Sequence, residues 1–112
     1  MARICYVELP VADTAAAKRF YESAFGWALT DFGPSYACTM MGDVDLGLQG
    51  DAADATRAPL AVIAVIGLDA WPGKVEAAGG RIVRPIFAFP GRRRFHFVDP
   101  SRNELAVLEN DA

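Results

Sequence analysis

One order of segments, a strand, a helix and three strands, occurs twice along the chain. In the first half, residues 4–11 alternate between apolar and polar types, as a half-buried strand does. Apolar residues then recur at helical spacing up to Phe25, with Asp13 or Thr14 available to cap the start and Gly26 to end the helix. Three short strands are predicted after it, at residues 27–32, 36–41 and 44–49.

The second half repeats this order. Residues 60–66 form an apolar strand, Asp69 can cap a helix that has Pro72 in its first turn, and Gly79-Gly80 ends that helix. Three more strands are predicted at residues 81–86, 94–98 and 104–109. We therefore predict an α+β fold of two βαβββ modules, with module 1 at about residues 3–50, a linker at 51–59 and module 2 at about 60–110.

A module of this kind has one apolar sheet face, which its helix covers, and one mixed face that it cannot bury alone. Two such sheets, curled toward each other within one chain or across a dimer, would enclose a cavity. The chain has 112 residues and little margin for a core, so we expect a homodimer.

Composition excludes several classes of partner. A net charge of −3 gives no electrostatic reason to bind nucleic acid or an anionic membrane. The sequence contains no apolar run long enough to span a membrane, and its first residues lack the pattern of a signal peptide, so we expect a cytoplasmic protein. Cys5 and Cys38 lie in apolar strands without metal-site spacing, which favours free thiols over a disulfide.

Four short motifs, in this order and spacing, carry a resemblance. They are YVELPVAD at residues 6–13, FY through FGW at 20–27, EAAGG at 76–80 and DPSRN at 99–103. Together they resemble the glyoxalase / bleomycin-resistance / extradiol-dioxygenase superfamily, the vicinal oxygen chelate fold of paired βαβββ modules. The resemblance covers nearly the whole chain and implies a glyoxalase-like fold with mixed sheets curled around a cavity.

Metal-using members of that superfamily place their ligands on the first and fourth strands of each module. The resemblance carries those positions onto Tyr6, Gln49, Leu60 and Glu109. Only Glu109 is a good ligand, because Leu60 has no donor atom and phenol and amide groups bind divalent ions weakly. We therefore expect no firmly bound metal and no other cofactor.

Carboxylates remain as candidates for chemistry. Glu8 shares a strand face with Tyr6, and Glu109 ends the strand equivalent to the one that Gln49 ends, so all four can converge on the cavity. Two carboxylates in a partly apolar cleft suit a general base or an anchor for an amine. The alternative for Glu8 is a hydrogen bond to the backbone or to an arginine of the 92–94 run.

His96 alternates with Phe95 and Phe97, which we expect to pack under the helix, so its ring should face the cavity beside Arg94. A lone histidine on a strand is more often a lining residue, but within reach of Glu109 or a ligand it would be the best acid or base in the chain. Residues 92–94 are a solvated loop end or an anion clamp.

Two further features are open. Phe87, Phe89 and Pro90 form either an aromatic loop over the cavity mouth or a filling of its rim. The resemblance implies a glycine where this chain has Arg102, and a positive φ there would cost about 1 kcal/mol unless Asn103 takes that conformation instead.

Two functions follow as hypotheses. The first is a metal-independent small-molecule site of lyase or isomerase type that uses Glu109, Glu8 and His96 for proton transfer; the resemblance also implies an activity related to lactoylglutathione lyase. The alternative is a binding protein of the bleomycin-resistance kind that sequesters an apolar or cationic compound. Interaction with another protein through the sheet edges has no sequence feature in its favour.

Overall fold

The structure, a computed structural model, describes residues 2–89 and 91–110. It divides into two compact units: the first comprises residues 6–60, and the second comprises residues 2–5 with residues 61–110. In each half of the chain a leading strand is followed by a helical segment and three strands, which confirms the predicted α+β fold. Pro90, predicted beside Phe89 in a loop, lies outside the described residues.

The first half of the chain contains four strands and one helix. β1 spans Arg3–Pro10, α1 spans Thr14–Phe25, and the other strands are β2 (Leu29–Asp31), β3 (Tyr36–Thr39) and β4 (Asp45–Gln49). The order in the sheet is β2-β3-β4-β1. β1 runs parallel to β4, and the other two pairs are antiparallel, so the sheet is mixed.

The second half contains four strands, a short 3₁₀ helix (Leu68–Ala70) and α2 (Trp71–Ala77). The strands are β5 (Leu60–Val65), β6 (Arg81–Phe89), β7 (Arg92–Val98) and β8 (Glu104–Glu109). Their order is β5-β8-β7-β6, with β5 parallel to β8 and the other pairs antiparallel. Neither helix in the described part of the chain is long and apolar enough to cross a membrane.

The ends of α1 follow the predicted signals. Asp13 is the N-cap, and its Oδ1 accepts a hydrogen bond from the Ala16 amide at 3.1 Å. Gly26 ends the helix with a φ of 72° and donates its amide to the Glu22 carbonyl, a conformation that glycine adopts without steric cost.

The apolar stripe of α1 is narrower than predicted. Tyr21 packs against the buried cluster of the first unit, whereas Phe20 and Phe25 are 58% and 59% exposed. The Phe25 ring instead stacks on Trp27, with 5.1 Å between ring centroids. A helix of three turns presents too few positions to the sheet for every apolar residue to be covered.

Asp69 was predicted to cap the second helix, and this is wrong. Asp69 lies inside the 3₁₀ helix, and Ala70, which precedes α2, makes no side-chain capping bond. The Asp69 carboxylate accepts two hydrogen bonds from Arg93 at 3.1 and 3.2 Å instead, an interaction between distant residues that local sequence does not reveal. Pro72 stands in the first turn of α2, as predicted.

Each unit has its own apolar core on the helix side of its sheet. In the first unit Leu29, Ala37 and Leu48 are buried, and in the second unit Val65, Leu68, Phe95 and Val107 are buried. Cys5 and Cys38 form no disulfide in the described part of the chain, as predicted, but both are half-buried where buried thiols were expected. Burial, followed by the charge of Asp45, raises the pKa of the Cys38 thiol, which keeps it in the unreactive protonated form.

The turn between β7 and β8 is held by Asp99. Its Oδ1 accepts the amides of Ser101 and Asn103 at 2.8 and 2.9 Å. Arg102 has a φ of 69° and is the single non-glycine residue with a positive φ in the described ranges. Arg102 itself, and not Asn103, therefore adopts the left-handed conformation at this position.

Replacing Arg102 with glycine should stabilise the protein by about 1 kcal/mol, because the side chain is strained in the left-handed region and glycine is not. Thermal unfolding followed by circular dichroism measures the change as a rise of several degrees in Tm. Ser101→Gly, at the preceding residue with ordinary φ, is the control and should not stabilise. A lower Tm for Arg102→Gly would contradict the assignment of strain.

Candidate functional site

The two sides of β7 have different chemistry. Phe95 is fully buried and packs with Phe97 in the core beneath α2, as predicted. Because side chains alternate along a strand, Arg94 and His96 point to the opposite side of the sheet. We call that side the polar face of the second unit. It comprises Arg84, Phe87, Phe89, Arg94, His96 and Glu104.

Two irregularities in β6 bring its residues to the polar face. The pairing of β6 with β7 shifts register between Ile82 and Arg84 and again between Arg84 and Phe87. Ile82 packs in the helix-side core, whereas Arg84 lies directly opposite His96. Bulges of this kind redirect side chains and are common beside functional sites. Of the two alternatives for Phe87 and Phe89, the loop is wrong, because both belong to the strand.

The imidazole of His96 is held by one carboxylate. His96 is 1% exposed, and its Nδ1 lies 2.7 Å from Oε2 of Glu104. A carboxylate can only accept, so the proton of a neutral imidazole lies on Nδ1 and the lone pair lies on Nε2. The Nε2 atom is buried and has no hydrogen-bond partner among the described residues. A buried polar atom without a partner is uncommon and calls for an explanation.

Aromatic rings and guanidinium groups surround the imidazole. The ring centroids of Phe87 and His96 are 5.7 Å apart. The Arg84 guanidinium carbon lies 3.7 Å from the Phe87 centroid, and that of Arg94 lies 4.8 Å from the Phe89 centroid. Arg94 is 4% exposed, so this charge is held away from bulk water. Cations stacked on aromatic faces are held in place by electrostatic attraction.

The charge state of His96 follows from these neighbours. Burial lowers its pKa below the usual 6.5; Arg94 on β7 and Arg84 on β6 act in the same direction, and Glu104 on β8 opposes them. The depressed pKa keeps the imidazole neutral near pH 7, with its Nε2 lone pair available as a base.

Glu109 lies on the other side of the same sheet. In β8 it lies two residues after Val107, on the same strand face, and Val107 packs in the helix-side core. Its carboxylate accepts two hydrogen bonds from Arg93, at 3.0 and 3.2 Å, and Arg93 also binds Asp69. The structure therefore does not bring Glu109 and His96 together. Of the run 92–94, Arg93 is a partner of these carboxylates, and Arg94 belongs to the polar face.

The remaining predicted residues lie in the first unit. Glu8 is 3% exposed and pairs in register with Gly47. Because Leu9 packs in the cluster that α1 covers, strand alternation places Glu8 on the other side of the sheet. The Gln49 side chain is buried, and its Oε1 accepts the amide of Asp51 at 2.9 Å. Leu60 is 1% exposed. Tyr6 is half-buried in the same strand as Glu8.

The described side chains do not form a binding site for a divalent metal ion. Among the residues that the structure describes, no three histidine, cysteine, aspartate or glutamate side chains are grouped so as to hold an ion. Of the four positions that the resemblance implied, Glu109 is engaged by Arg93, Gln49 by a backbone amide, and Leu60 has no donor. These positions do not form the three-ligand set that such ions require.

A family model described as the Glyoxalase/Bleomycin resistance protein/Dioxygenase superfamily matches residues 3–107. The chain belongs to this superfamily. No curated protein shows a significant sequence match to it. The superfamily assignment confirms the predicted resemblance and leaves the reaction open, because one fold supports many chemistries.

Solved structures share the fold of this superfamily member. A protein described as NAD-dependent benzaldehyde dehydrogenase from Legionella pneumophila has a TM-score of 0.76 at 18% identity, covering 93% of this chain and 96% of that one. Methylmalonyl-CoA epimerase from Mycobacterium tuberculosis has a TM-score of 0.73 at 18% identity, covering 97% and 88%. A variant of the Streptomyces coelicolor epimerase, in complex with 2-nitronate-propionyl-CoA, has a TM-score of 0.74 at 14% identity, covering 98% of both chains. At these identities the likeness shows the fold alone.

Sequence reasoning missed two members of the polar face, Arg84 and Glu104. Alternation from Leu108 through Ala106 could have placed Glu104 on the same side as His96, since the three residues are spaced by two. Nothing local indicated Arg84, because the register shifts of β6 break its alternation.

Gly47 lies where a side chain would collide with the Tyr36 hydroxyl. Gly47→Ala should therefore destabilise the protein by about 1–3 kcal/mol. The Tyr36 side chain must move to make room for the methyl group, and the residue next to Tyr36, Ala37, is fully buried. Chemical denaturation measures the change. Gly73→Ala, in α2 with open space around it, is the matched control and should be neutral or slightly stabilising. Equal effects of the two substitutions would contradict the close approach of Tyr36.

The sequence has one histidine, so its imidazole signal in proton NMR reports His96 alone. We expect a titration midpoint below 6.5, and a still lower midpoint in Glu104→Gln, because Glu104 favours the charged form. With a depressed folded-state pKa, the stabilisation from neutral His96 is full above pH 6.5 and is lost as pH falls from there through the folded-state pKa. A midpoint above 6.5 would contradict the burial of the ring.

Proposed function

We propose that this chain is a small-molecule enzyme of lyase or isomerase type in which His96 is the general base, working without a resident metal. The observation that carries the proposal is the Nε2 atom of His96, which is buried and lacks a partner among the described residues. Its Nδ1 is fixed by Glu104 at 2.7 Å, so the ring is oriented and holds one tautomer. This arrangement is typical of an activated base.

The proposed step is a proton transfer. A C–H bond next to a carbonyl of the substrate breaks, its proton goes to Nε2, and its electron pair is delocalised as an enolate. Glu104, as a positioning residue, accepts the Nδ1 hydrogen bond and stabilises the imidazolium that forms. Arg84 and Arg94 supply positive charge on the same face for the enolate. Return of the proton to carbon completes an isomerisation, and expulsion of a leaving group completes an elimination.

The metal-free part of the proposal is supported by donor chemistry. Glu109 is held in ion pairs with Arg93, which gives it a structural role at the helix-side surface of the second unit. A catalytic role for Glu8, in the first unit, stays a prediction from the sequence. The homodimer and the cytoplasmic location likewise stay part of this proposal, the latter in keeping with two cysteines that form no disulfide among the described residues.

Sequestration of a small compound is the second candidate. The half-buried pair Phe87 and Phe89, whose ring centroids are 6.3 Å apart, offers apolar contact that needs no chemistry. The two arginines beside this pair disfavour a cationic compound, in contrast to the acidic cavity expected from the sequence. A binder should retain affinity when Nε2 is removed, whereas an enzyme should lose rate.

Proton transfer can be measured without knowing the natural substrate. Purified protein in D₂O is incubated with methylmalonyl-CoA or lactoylglutathione, and loss of the α-proton signal is followed by NMR. We expect catalysed exchange that falls by about a hundredfold or more in His96→Gln. Glu104→Gln should slow exchange and shift its pH profile. Glu76→Gln, an exposed carboxylate on α2, is the control. Exchange at an unchanged rate in His96→Gln would contradict the proposed base.

A separate experiment tests whether proton exchange depends on a metal ion. Dialysis against EDTA should leave the exchange rate unchanged. Loss of exchange, restored by a divalent ion, would contradict the metal-free mechanism while leaving the role of His96 to the substitution experiment.

A further inference from the structure

The polar face of the second unit carries more positive than negative charge. Arg84 lies directly opposite His96 on the neighbouring strand, and Arg94 lies two residues before His96 on the same strand face. On this face of β6, β7 and β8 the acidic side chain is that of Glu104, and it is hydrogen-bonded to His96. Both arginines act on His96 in the direction that disfavours its protonation, so the potential at the ring is shaped by them.

The rings of Phe87 and Phe89 fix the orientation of these cations. The Arg84 guanidinium carbon lies 3.7 Å above the Phe87 centroid, close enough for face-to-face stacking. Stacking uses the face of a guanidinium and leaves its in-plane N–H donors to other groups. Each guanidinium has five such donors in a fork that matches a carboxylate, so a further acceptor can be bound in addition to an existing partner.

We propose that the polar face binds a small organic carboxylate, with its anionic group on Arg84 and Arg94, its apolar part against Phe87 and Phe89, and its acidic C–H at Nε2 of His96. This inference rests on the proposed function, because it names the substrate class of the same site. The Nε2 atom of His96 is buried and has no hydrogen-bond partner among the described residues, which independently points to a ligand at the polar face. The proposed ligand is an anion, whereas the carboxylates Glu8 and Glu109 suggested from the sequence either a general base or an anchor for an amine.

A bound anion should change the titration of His96 in a defined direction. Negative charge placed beside Arg84 and Arg94 offsets the two effects that disfavour the imidazolium, while Glu104 continues to favour it. The pKa of His96 should therefore rise on binding, and by linkage the anion should bind more tightly as pH falls through that pKa.

The probe is benzoate, an apolar body with one carboxylate, compared with benzamide and benzamidine, which have the same shape but neutral and positive head groups. Each is titrated into the wild-type protein while the imidazole NMR signal of the single histidine is followed. We expect benzoate to perturb the signal and raise its midpoint, and we expect neither analogue to do so at equal concentration. Equal responses to benzoate and benzamide, or a stronger response to benzamidine, would overturn the proposal.

Substitutions locate the bound anion. Arg84→Gln should weaken benzoate binding by about tenfold or more, and Arg84→Lys should restore part of the loss, since the charge returns without the fork. Arg81→Gln, an exposed arginine of the same strand, is the matched control and should leave affinity unchanged. Arg94 is buried, so Arg94→Lys is the conservative second variant; an affinity unaffected by both Arg84→Gln and Arg94→Lys would overturn the proposal.

Failure of this inference can be told from failure of the proposed function. Proton exchange that depends on His96 but is insensitive to Arg84→Gln and equally fast for uncharged thioesters would overturn the carboxylate preference alone. Benzoate binding that depends on Arg84 without catalysed exchange in any carboxylate would overturn the proton-transfer function and leave the anion site standing.

Discussion

The two-residue period of β7 is the constraint on which the second unit depends. Because successive side chains of a strand point to opposite faces, one short run supplies both Phe95 and Phe97 to the core beneath α2 and Arg94 and His96 to the polar face. A slip by one residue would place charged groups in the core and aromatic rings on the polar face. Core packing and the position of the candidate base are therefore fixed by the same register.

The hydrogen bond between Glu104 and His96 connects this register to chemistry. It is made diagonally across the β7–β8 pair, so the turn held by Asp99 must close with the right length for the two side chains to meet. The His96 end of this bond is 1% exposed, whereas the Glu104 side chain is 37% exposed, so water is excluded from the imidazole but still reaches the carboxylate. Fold and proton affinity are thus coupled at one contact.

Periodicity and turn residues were sufficient to predict the fold. The repeated order of elements, a cap at Asp13 or Thr14, the stop at Gly26 and the sides of β7 all follow from local spacing, and the structure agrees, with Asp13 as the cap. The candidate site was harder to predict from the sequence than the fold. Glu109 was expected to face the cavity, yet it shares the helix-side face of β8 with Val107 and accepts a hydrogen bond from Arg93. No local pattern reveals which of three successive arginines pairs with it.

The same limit explains Arg84 and Asp69. The two register shifts in β6 remove the alternation by which Arg84 would be placed, and Asp69 forms a long-range ion pair where a helix cap was expected. Sequence periodicity describes regular elements well. Irregular strands and contacts between residues far apart in the chain depend on tertiary packing, and the candidate site is built from both.

The irregular course of β6 also affects whether a strand of another molecule can add to the edge of the sheet. β6 is the last strand in the sheet order of the second unit, and Pro85 within it has no N–H to offer to a further strand. Together with the two register shifts, this interrupts the continuous row of backbone groups that an incoming strand would need. The outer margin of this sheet is thereby protected against edge-to-edge addition and the fibrous aggregation to which regular, unshielded strands are prone.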